Sequence, residues 1–230
     1  MVNFSTSGQS NHHNPQRNKK ILIMTAVSAE QNAVMKGLQD DSRFESALAG
    51  VGPVEAAINT TKALMQTSYD LVICAGIAGG FEGKAPLESI VIADKIIAAD
   101  LGAETSEKFL SIEELGFGFS QIEPATEYIP NIVQALESKE VHTTSGAILT
   151  LSTVTGTEQT ATDLLSRIPT ACAEAMEGFG VASAAKNFGI PCLEIRAISN
   201  AVGPRDRESW RIKEAFATLE KTFSALKEVL

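Results

Sequence analysis

Short apolar runs alternate with amphipathic stretches along most of this chain. Residues 20–26 (KILIMTA) read as a strand buried on both faces, because a strand covered on each side by helices carries a continuous apolar run instead of alternating. Ser28 is the expected N-cap of a helix over 29–38. A short strand over 46–49 follows. Gly50-Val51-Gly52-Pro53 then turns into a helix over 54–67, with Pro53 tolerated in the first turn. The run 70–75 (DLVICA) predicts a third strand, ending in a glycine-rich turn, Gly76-Ile77-Ala78-Gly79-Gly80.

Residues 88–99 (ESIVIADKIIAA) predict a longer strand or a strand pair, and 145–155 (SGAILTLSTVT) another strand. Helices are expected over 158–167 and 178–188, and strands over 171–176 and 192–199. Between 100 and 130 the pattern breaks at Gly102, Gly116, Gly118, Pro124 and Pro130, so this segment reads as an insertion that forms part of a lid. Ile212, Phe216, Leu219, Phe223, Leu226 and Val229 recur at three-to-four spacing, the core-facing stripe of a long helix over 208–230. The alternation predicts an α/β fold with a central mixed, largely parallel sheet flanked by helices. No repeat or linker divides residues 20–230, which read as one domain. Residues 1–19 are polar, rich in Asn and Ser, and read as a disordered leader without the apolar stretch of a secretory signal.

Composition narrows the function classes. The 230 residues suffice for one large α/β domain. The chain is 44% hydrophobic but only 6% aromatic, so its core must come mainly from Ala, Val, Ile and Leu. A formal net charge of -9 provides no field for nucleic acid or an anionic membrane. No apolar run approaches the roughly 20 residues that span a bilayer. Cys74, Cys172 and Cys192 all lie in strand-like runs, which points to reduced, buried thiols in a cytoplasmic protein. None has a His or second Cys at metal-ligand spacing, and neither a metal nor an organic cofactor is expected. His12-His13 lies in the polar leader, and His142 reads as a surface or packing residue.

Candidate chemistry gathers at strand ends, where open α/β sheets hold their ligands. Ala175-Met176-Glu177-Gly178 and Arg196-Ala197-Ile198-Ser199-Asn200 bring Glu177 and Asn200 to one rim. Glu177 is either a solvated carboxylate or an acceptor of two hydrogen bonds from a sugar diol, with Met176 as a soft apolar wall. Asn200 is either a turn residue or a paired donor and acceptor for a ligand. Glu30, in a helix's first turn, serves either the helix dipole or water activation as a general base. The turn at Gly50-Val51-Gly52 starts a dinucleotide fingerprint that fails at Glu55. Gly76–Gly80 is either a tight turn or a backbone surface a ligand can approach closely. No Ser-His-Asp or Cys-His arrangement stands out.

Together these segments resemble the nucleoside phosphorylase and nucleosidase superfamily, in the branch containing methylthioadenosine/S-adenosylhomocysteine nucleosidase and futalosine hydrolase. The resemblance covers nearly the whole chain from Lys20 onward and implies a three-layer, phosphorylase-like fold. The run Ser199-Asn200-Ala201-Val202-Gly203-Pro204-Arg205-Asp206-Arg207-Glu208-Ser209-Trp210 is most similar to futalosine hydrolases. By this resemblance Glu30 orients the attacking water, Glu177 binds the ribose hydroxyls and Met176 packs on the sugar. Val51 lines the ribose and 5′ side, while Ile77, Ala78 and Gly79 lie beside sugar and base. Asn200 recognises the base, Trp210 lines the pocket of the 5′ substituent, and backbone atoms near Gln159 and Thr160 meet the base. A homo-oligomer, a dimer or higher, is implied, with a neighbouring subunit closing the 5′ pocket through residues such as Phe117 or Phe119.

Two departures from the family pattern sharpen the expected substrate. Adenine-type members carry Asp where this chain has Asn200. An ionised Asp would repel the carbonyl of a 6-oxopurine, whereas Asn donates to N7 or O6 and leaves no buried group unpaired, an error costing roughly 1–3 kcal/mol. Phosphorylases of the superfamily hold phosphate with arginine near the glycine turn, but residues 71–81 contain no Arg or Lys, which favours water as nucleophile. The expected activity is hydrolysis of the N-glycosidic bond of futalosine to hypoxanthine and dehypoxanthine futalosine, a step of menaquinone biosynthesis. Arg205 or Arg207 is either a partner for the substrate's benzoate or a surface charge. The alternatives are a methylthioadenosine/S-adenosylhomocysteine nucleosidase, a purine nucleoside phosphorylase or a non-catalytic nucleoside-binding protein.

Overall fold

Side chains leave β1 (Ile21–Thr25) in both directions: Ile21 and Ile23 pack on one face, Leu22 and Met24 on the other, all buried. This is the physical meaning of the unbroken apolar run. The computed structural model describes residues 19–230; the expected leader up to residue 18, with His12 and His13, lies outside the described residues. Strand β1 lies between β2 (Phe44–Leu48) and β3 (Leu71–Gly80), parallel to both.

Beyond β3 the sheet runs through β10 (Cys192–Ala201), β4 (Ile90–Ala98), β8 (Thr143–Thr150) and β9 (Ala171–Ala175), and β9 pairs back onto β3. Five strands thus close into a barrel-like ring, and β1 and β2 extend from it as a wing. The pairing is mixed: β3–β10, β4–β8 and β8–β9 are parallel, while β4–β10 and β3–β9 are antiparallel. Periodicity does not anticipate the closure, because each strand's pattern records its burial and not its partner.

Helices cover both faces. Those designated α1 (Ser28–Leu38), α3 (Ile129–Glu137) and α6 (Ile212–Val229) bury Val34, Leu136, Leu219 and Phe223 with Ile73, Ile90 and Ile195. On the other face α2 (Pro53–Gln66) and α5 (Gly178–Asn187) bury Ala56, Leu64, Val181 and Ala182 with Val72, Cys74 and Val91. The remaining helix, α4 (Glu158–Arg167), closes a third cluster through Leu164, with Phe81 and Leu149.

Several expected boundaries are corrected. Gly76–Gly80 is not a turn; β3 stays extended to Gly80 because β10 and β9 pair along it. Val27 takes the N-cap position in place of Ser28, in extended geometry (φ -135°, ψ 159°). Residues 88–99 hold a single strand, β4, whose register shifts between Ala93 and Lys95. The irregular 100–130 segment contains a small ladder, β5 (Gly102–Glu104) with β6 (Phe109–Ser111), and β7 (Gln121–Ile122), which pairs with β4. The last helix begins at Ile212, after a 3-10 turn over Arg207–Ser209. All three cysteines are free and buried. Among the described residues no helix is long and apolar enough to cross a membrane.

Candidate active site

The carboxyl ends of β1, β3, β9 and β10 converge on a cavity of about 360 Å³. Its lining includes Ala26, Val27 and Glu30 from the β1–α1 junction, and Ile77, Ala78 and Gly79 from β3. Val154 and Thr155 follow β8, and Glu174, Ala175, Met176 and Glu177 span the β9–α5 junction. Ser199, Asn200 and Ala201 come from β10, with Pro204, Arg205 and Trp210 beyond it. A cavity of this size is in the range of small-molecule sites.

One end is acidic and tightly organised. Glu30 is the third residue of α1, and its Oε2 accepts from the backbone N–H groups of Ala26 (2.9 Å) and Val27 (3.2 Å). Its Oε1 accepts from the Ile77 N–H at 2.9 Å. Gly76 is what admits this carboxylate: a Cβ there would collide with it and stand 2.8 Å from Arg196 Nη1. Burial raises the Glu30 carboxyl above its ordinary range, and Arg196 and the backbone donors pull it only partly back.

Glu177 occupies the N-cap position of α5, but its carboxylate turns to other partners and makes no capping bond. Its Oε1 accepts from the Gly52 N–H at 3.3 Å, and its Oε2 lies 3.2 Å from Arg196 Nη2. Arg196 is 1% exposed and engaged through all three nitrogens: Nε donates to Glu194 at 2.9 Å, Nη2 also reaches Cys74 Sγ at 3.3 Å, and Nη1 lies 3.5 Å from the Ile77 carbonyl. Among the described residues Glu194 Oε2 has no hydrogen-bond partner, and burial pushes that carboxyl up to about 7 against the pull of Arg196. One guanidinium therefore serves a buried group of carboxylates, two of which, Glu30 and Glu177, line the cavity.

The other end is built on Asn200. The β3–β10 register slips between Ile198 and Asn200, a bulge of the kind that re-aims side chains near sites. Asn200 Nδ2 donates to the Ala201 carbonyl at 2.9 Å, and the Ser199 hydroxyl lies 2.9 Å from Asn200 Oδ1. Glu174 lies nearby; it accepts from the Thr155 N–H at 2.8 Å and from the Thr155 hydroxyl at 2.6 Å. Burial raises this carboxyl too, and Thr155 offsets the shift in part. At the mouth, the Arg205 guanidinium lies 5.1 Å from the centroid of the Trp210 ring.

Of the residues expected from sequence, Glu30, Ile77, Ala78, Gly79, Met176, Glu177, Asn200 and Trp210 all line this one cavity. Val51 does not; it is 56% exposed, and its neighbour Gly52 makes the contact to Glu177. Gln159 and Thr160 are also outside the lining, exposed on α4. The chain passes the cavity at Val154 and Thr155, before α4 begins, four to six residues earlier than Gln159 and Thr160. Arg205 lines the mouth and Arg207 does not. Phe117 and Phe119 are exposed and off the lining; Phe119 packs beside Phe179 at 6.0 Å between ring centroids. Sequence reasoning assigned no role to Arg196, Glu194, Glu174 or Thr155. A signal was present for the first two: charges two residues apart inside an apolar strand share one face and compensate each other there. Among the described residues no group of three or more His, Cys, Asp or Glu side chains is arranged to hold a metal ion.

Residues 25–229 match the family described as Phosphorylase superfamily. The chain is similar to a futalosine hydrolase of Streptomyces coelicolor, at 46% identity over 91% of this chain and 96% of the other. It is also similar to a futalosine hydrolase of Acidothermus cellulolyticus, at 41% identity over 90% of each. Among solved structures, the futalosine hydrolase of Helicobacter pylori strain 26695 superposes with a TM-score of 0.81 at 18% identity, covering 92% of this chain and 98% of that one. At that identity the likeness concerns the fold.

Proposed function

The chain belongs to the phosphorylase superfamily, and from that premise we propose that it hydrolyses the N-glycosidic bond of futalosine, releasing hypoxanthine and dehypoxanthine futalosine. The observation that carries the reading is a single cavity with two buried carboxylates, Glu30 and Glu177, at one end and Asn200 at the other. The relatives at 46% and 41% identity, both futalosine hydrolases, support the same substrate.

Cleavage of the bond leaves its electron pair on the purine and positive charge on the ribosyl ring. Glu30 accepts a proton from water as the oxygen adds to the anomeric carbon. A carboxyl raised by burial is a better base than an ordinary one, which suits this task. Glu177 holds the ribose hydroxyls through Oε1, which accepts only from the Gly52 N–H and keeps a lone pair, while Oε2 is held by Arg196 and the Met176 N–H. Asn200 Nδ2 has a second N–H to meet N7 or O6 of the departing base, stabilising charge as it develops, and the purine anion then takes its proton from solvent water to give hypoxanthine. Met176 and Trp210 supply apolar walls, and Arg205 at the mouth is placed to meet an anionic 5′ substituent.

Water is favoured over phosphate because Arg196, the cation buried beside Glu30, is already committed to Glu177 and Glu194. The substrate assigns the step to menaquinone biosynthesis, and three free, buried thiols suit the cytoplasm. An exposed apolar stripe on α2, with Val54 at 69% and Met65 at 74% exposure and Ile58 between them, supports a homo-oligomer.

Incubation with futalosine, inosine and methylthioadenosine, each with and without phosphate, tests the reading by free-base release. Hypoxanthine from futalosine at a rate indifferent to phosphate is expected. Release that requires phosphate, or that occurs from methylthioadenosine alone, overturns it.

A further inference from the structure

We infer that Glu174 reads the purine together with Asn200, accepting a hydrogen bond from the N1–H that a 6-oxopurine carries and an adenine lacks. The inference deepens the proposed function and rests on its placement of the base beside Asn200.

Glu174 is 5% exposed and lines the cavity, yet among the described residues no cation pairs with it. Its polar partners are the N–H and hydroxyl of Thr155, one to each carboxylate oxygen. A buried carboxylate without a counter-charge is expensive, and two neutral donors cover only part of that cost. Each oxygen retains a lone pair for a ligand donor.

The position of Gly79 shows what the two side chains share. A Cβ on Gly79 would stand 3.0 Å from Val202 Cγ2, 3.2 Å from Asn200 Nδ2 and 3.6 Å from Glu174 Cγ. Asn200 and Glu174 therefore approach the same residue of β3, with Val202 packed beside them, and Gly79 also lines the cavity. Hypoxanthine presents, along one edge, acceptors at N7 and O6 followed by a donor at N1. That order complements Asn200 followed by Glu174. Adenine presents a lone pair at N1, which would face the carboxylate without a proton between them. The acidic pair at the opposite end is not needed for this distinction.

Thr155 is the positioning residue. Its two bonds hold the carboxylate on the loop after β8 and leave it no freedom to swing toward solvent.

The test uses the intact enzyme and free bases, so that it stands apart from turnover. Binding of hypoxanthine and 1-deazahypoxanthine, which has C–H in place of N1–H, is measured by calorimetry on the wild type and on Glu174→Gln. Gln keeps the shape and still offers Thr155 an acceptor and a donor. The wild type is expected to favour hypoxanthine by about 10- to 100-fold, the worth of one charge-assisted hydrogen bond. In Glu174→Gln that ratio should shrink several-fold or more. Equal binding of the two bases by the wild type, which needs no variant, overturns the inference; so does an unchanged ratio in a folded Glu174→Gln. If the binding ratios hold but futalosine is not cleaved, the functional proposal falls and the base-reading role stands. Cleavage of futalosine with equal base binding overturns the role of Glu174 alone.

Discussion

Arg196 Nη2 lies 3.2 Å from Glu177 Oε2, and both side chains are buried, at 1% and 6% exposure. The carboxylate that faces the cavity from the end of β9 is thus oriented by a cation on β10, a strand that does not neighbour β9. The same guanidinium reaches Glu194 and lies beside Glu30 under Gly76. Any change at Arg196 acts on the whole acidic end of the site.

Replacing Arg196 with Met should therefore cost about 3–5 kcal/mol of stability, because it leaves buried carboxylates uncompensated. Urea denaturation reads the loss as a lower midpoint. A Met variant as stable as wild type would show that the carboxylates do not depend on this partner. Arg196→Lys should lie between the two, since one ammonium cannot span Glu177 and Glu194 as the planar fork does.

Glu194 gives the pH dependence a sign. Its folded value, about 7, is above the ordinary 4.5, so the folded state keeps a proton that the unfolded state releases. The stability tied to that proton is complete below about 4.5 and is lost as pH rises through about 7. Denaturation midpoints measured across this window should fall with pH in the wild type and fall less steeply in Glu194→Gln. Identical slopes would remove Glu194 as the source.

Glu30→Gln should lower kcat by about 10²–10⁴-fold with little change in substrate affinity, the range for loss of a general base. In the wild type, activity should fall on acidification at a pH above the ordinary carboxylate range, because burial raises Glu30. Near-normal turnover by the Gln variant would exclude Glu30 as the base. Gly76→Ala should be similarly inactive, since its methyl group would take the place of the Glu30 carboxylate.

Asn200→Asp exchanges an amide for a carboxylate where the proposed function places the base. Activity on hypoxanthine nucleosides should fall by about 10-fold or more, with adenine nucleosides gaining relative to them. The ratio of kcat/KM on inosine and adenosine is the measurement. An unchanged ratio would mean that Asn200 does not sense the substituent at C6.

The stripe on α2 makes a separate prediction. Val54→Asp with Ile58→Asp places charges on exposed positions of one helix face, so the fold should survive while self-association weakens. Sedimentation velocity should show a smaller species than wild type. A wild-type protein that sediments as a monomer would refute the oligomer outright.

Much of this molecule was legible in its residues. The both-face burial of β1 is written in its unbroken apolar run, and the stripe of α6 in its spacing. Glu30, Glu177 and Asn200 stand out because each is polar at the end of an apolar run. Their positions along the chain are local facts, set by where an element stops.

Tertiary structure decided what depends on two segments meeting. The ring closure, with β10 beside β3 and β9 returning to it, follows from pairings that no single strand's pattern contains. Gly76–Gly80 reads locally as a turn and is held extended by its neighbours. The cavity is lined at Val154 and Thr155 instead of Gln159 and Thr160 because the path after β8 is set by packing, not by residue type. The counter-charge for Glu177 comes from a residue nineteen positions away. Burial then gives the carboxyls of Glu30, Glu174 and Glu194 properties that an isolated chain would not give them, because removal from water is a consequence of the assembled fold.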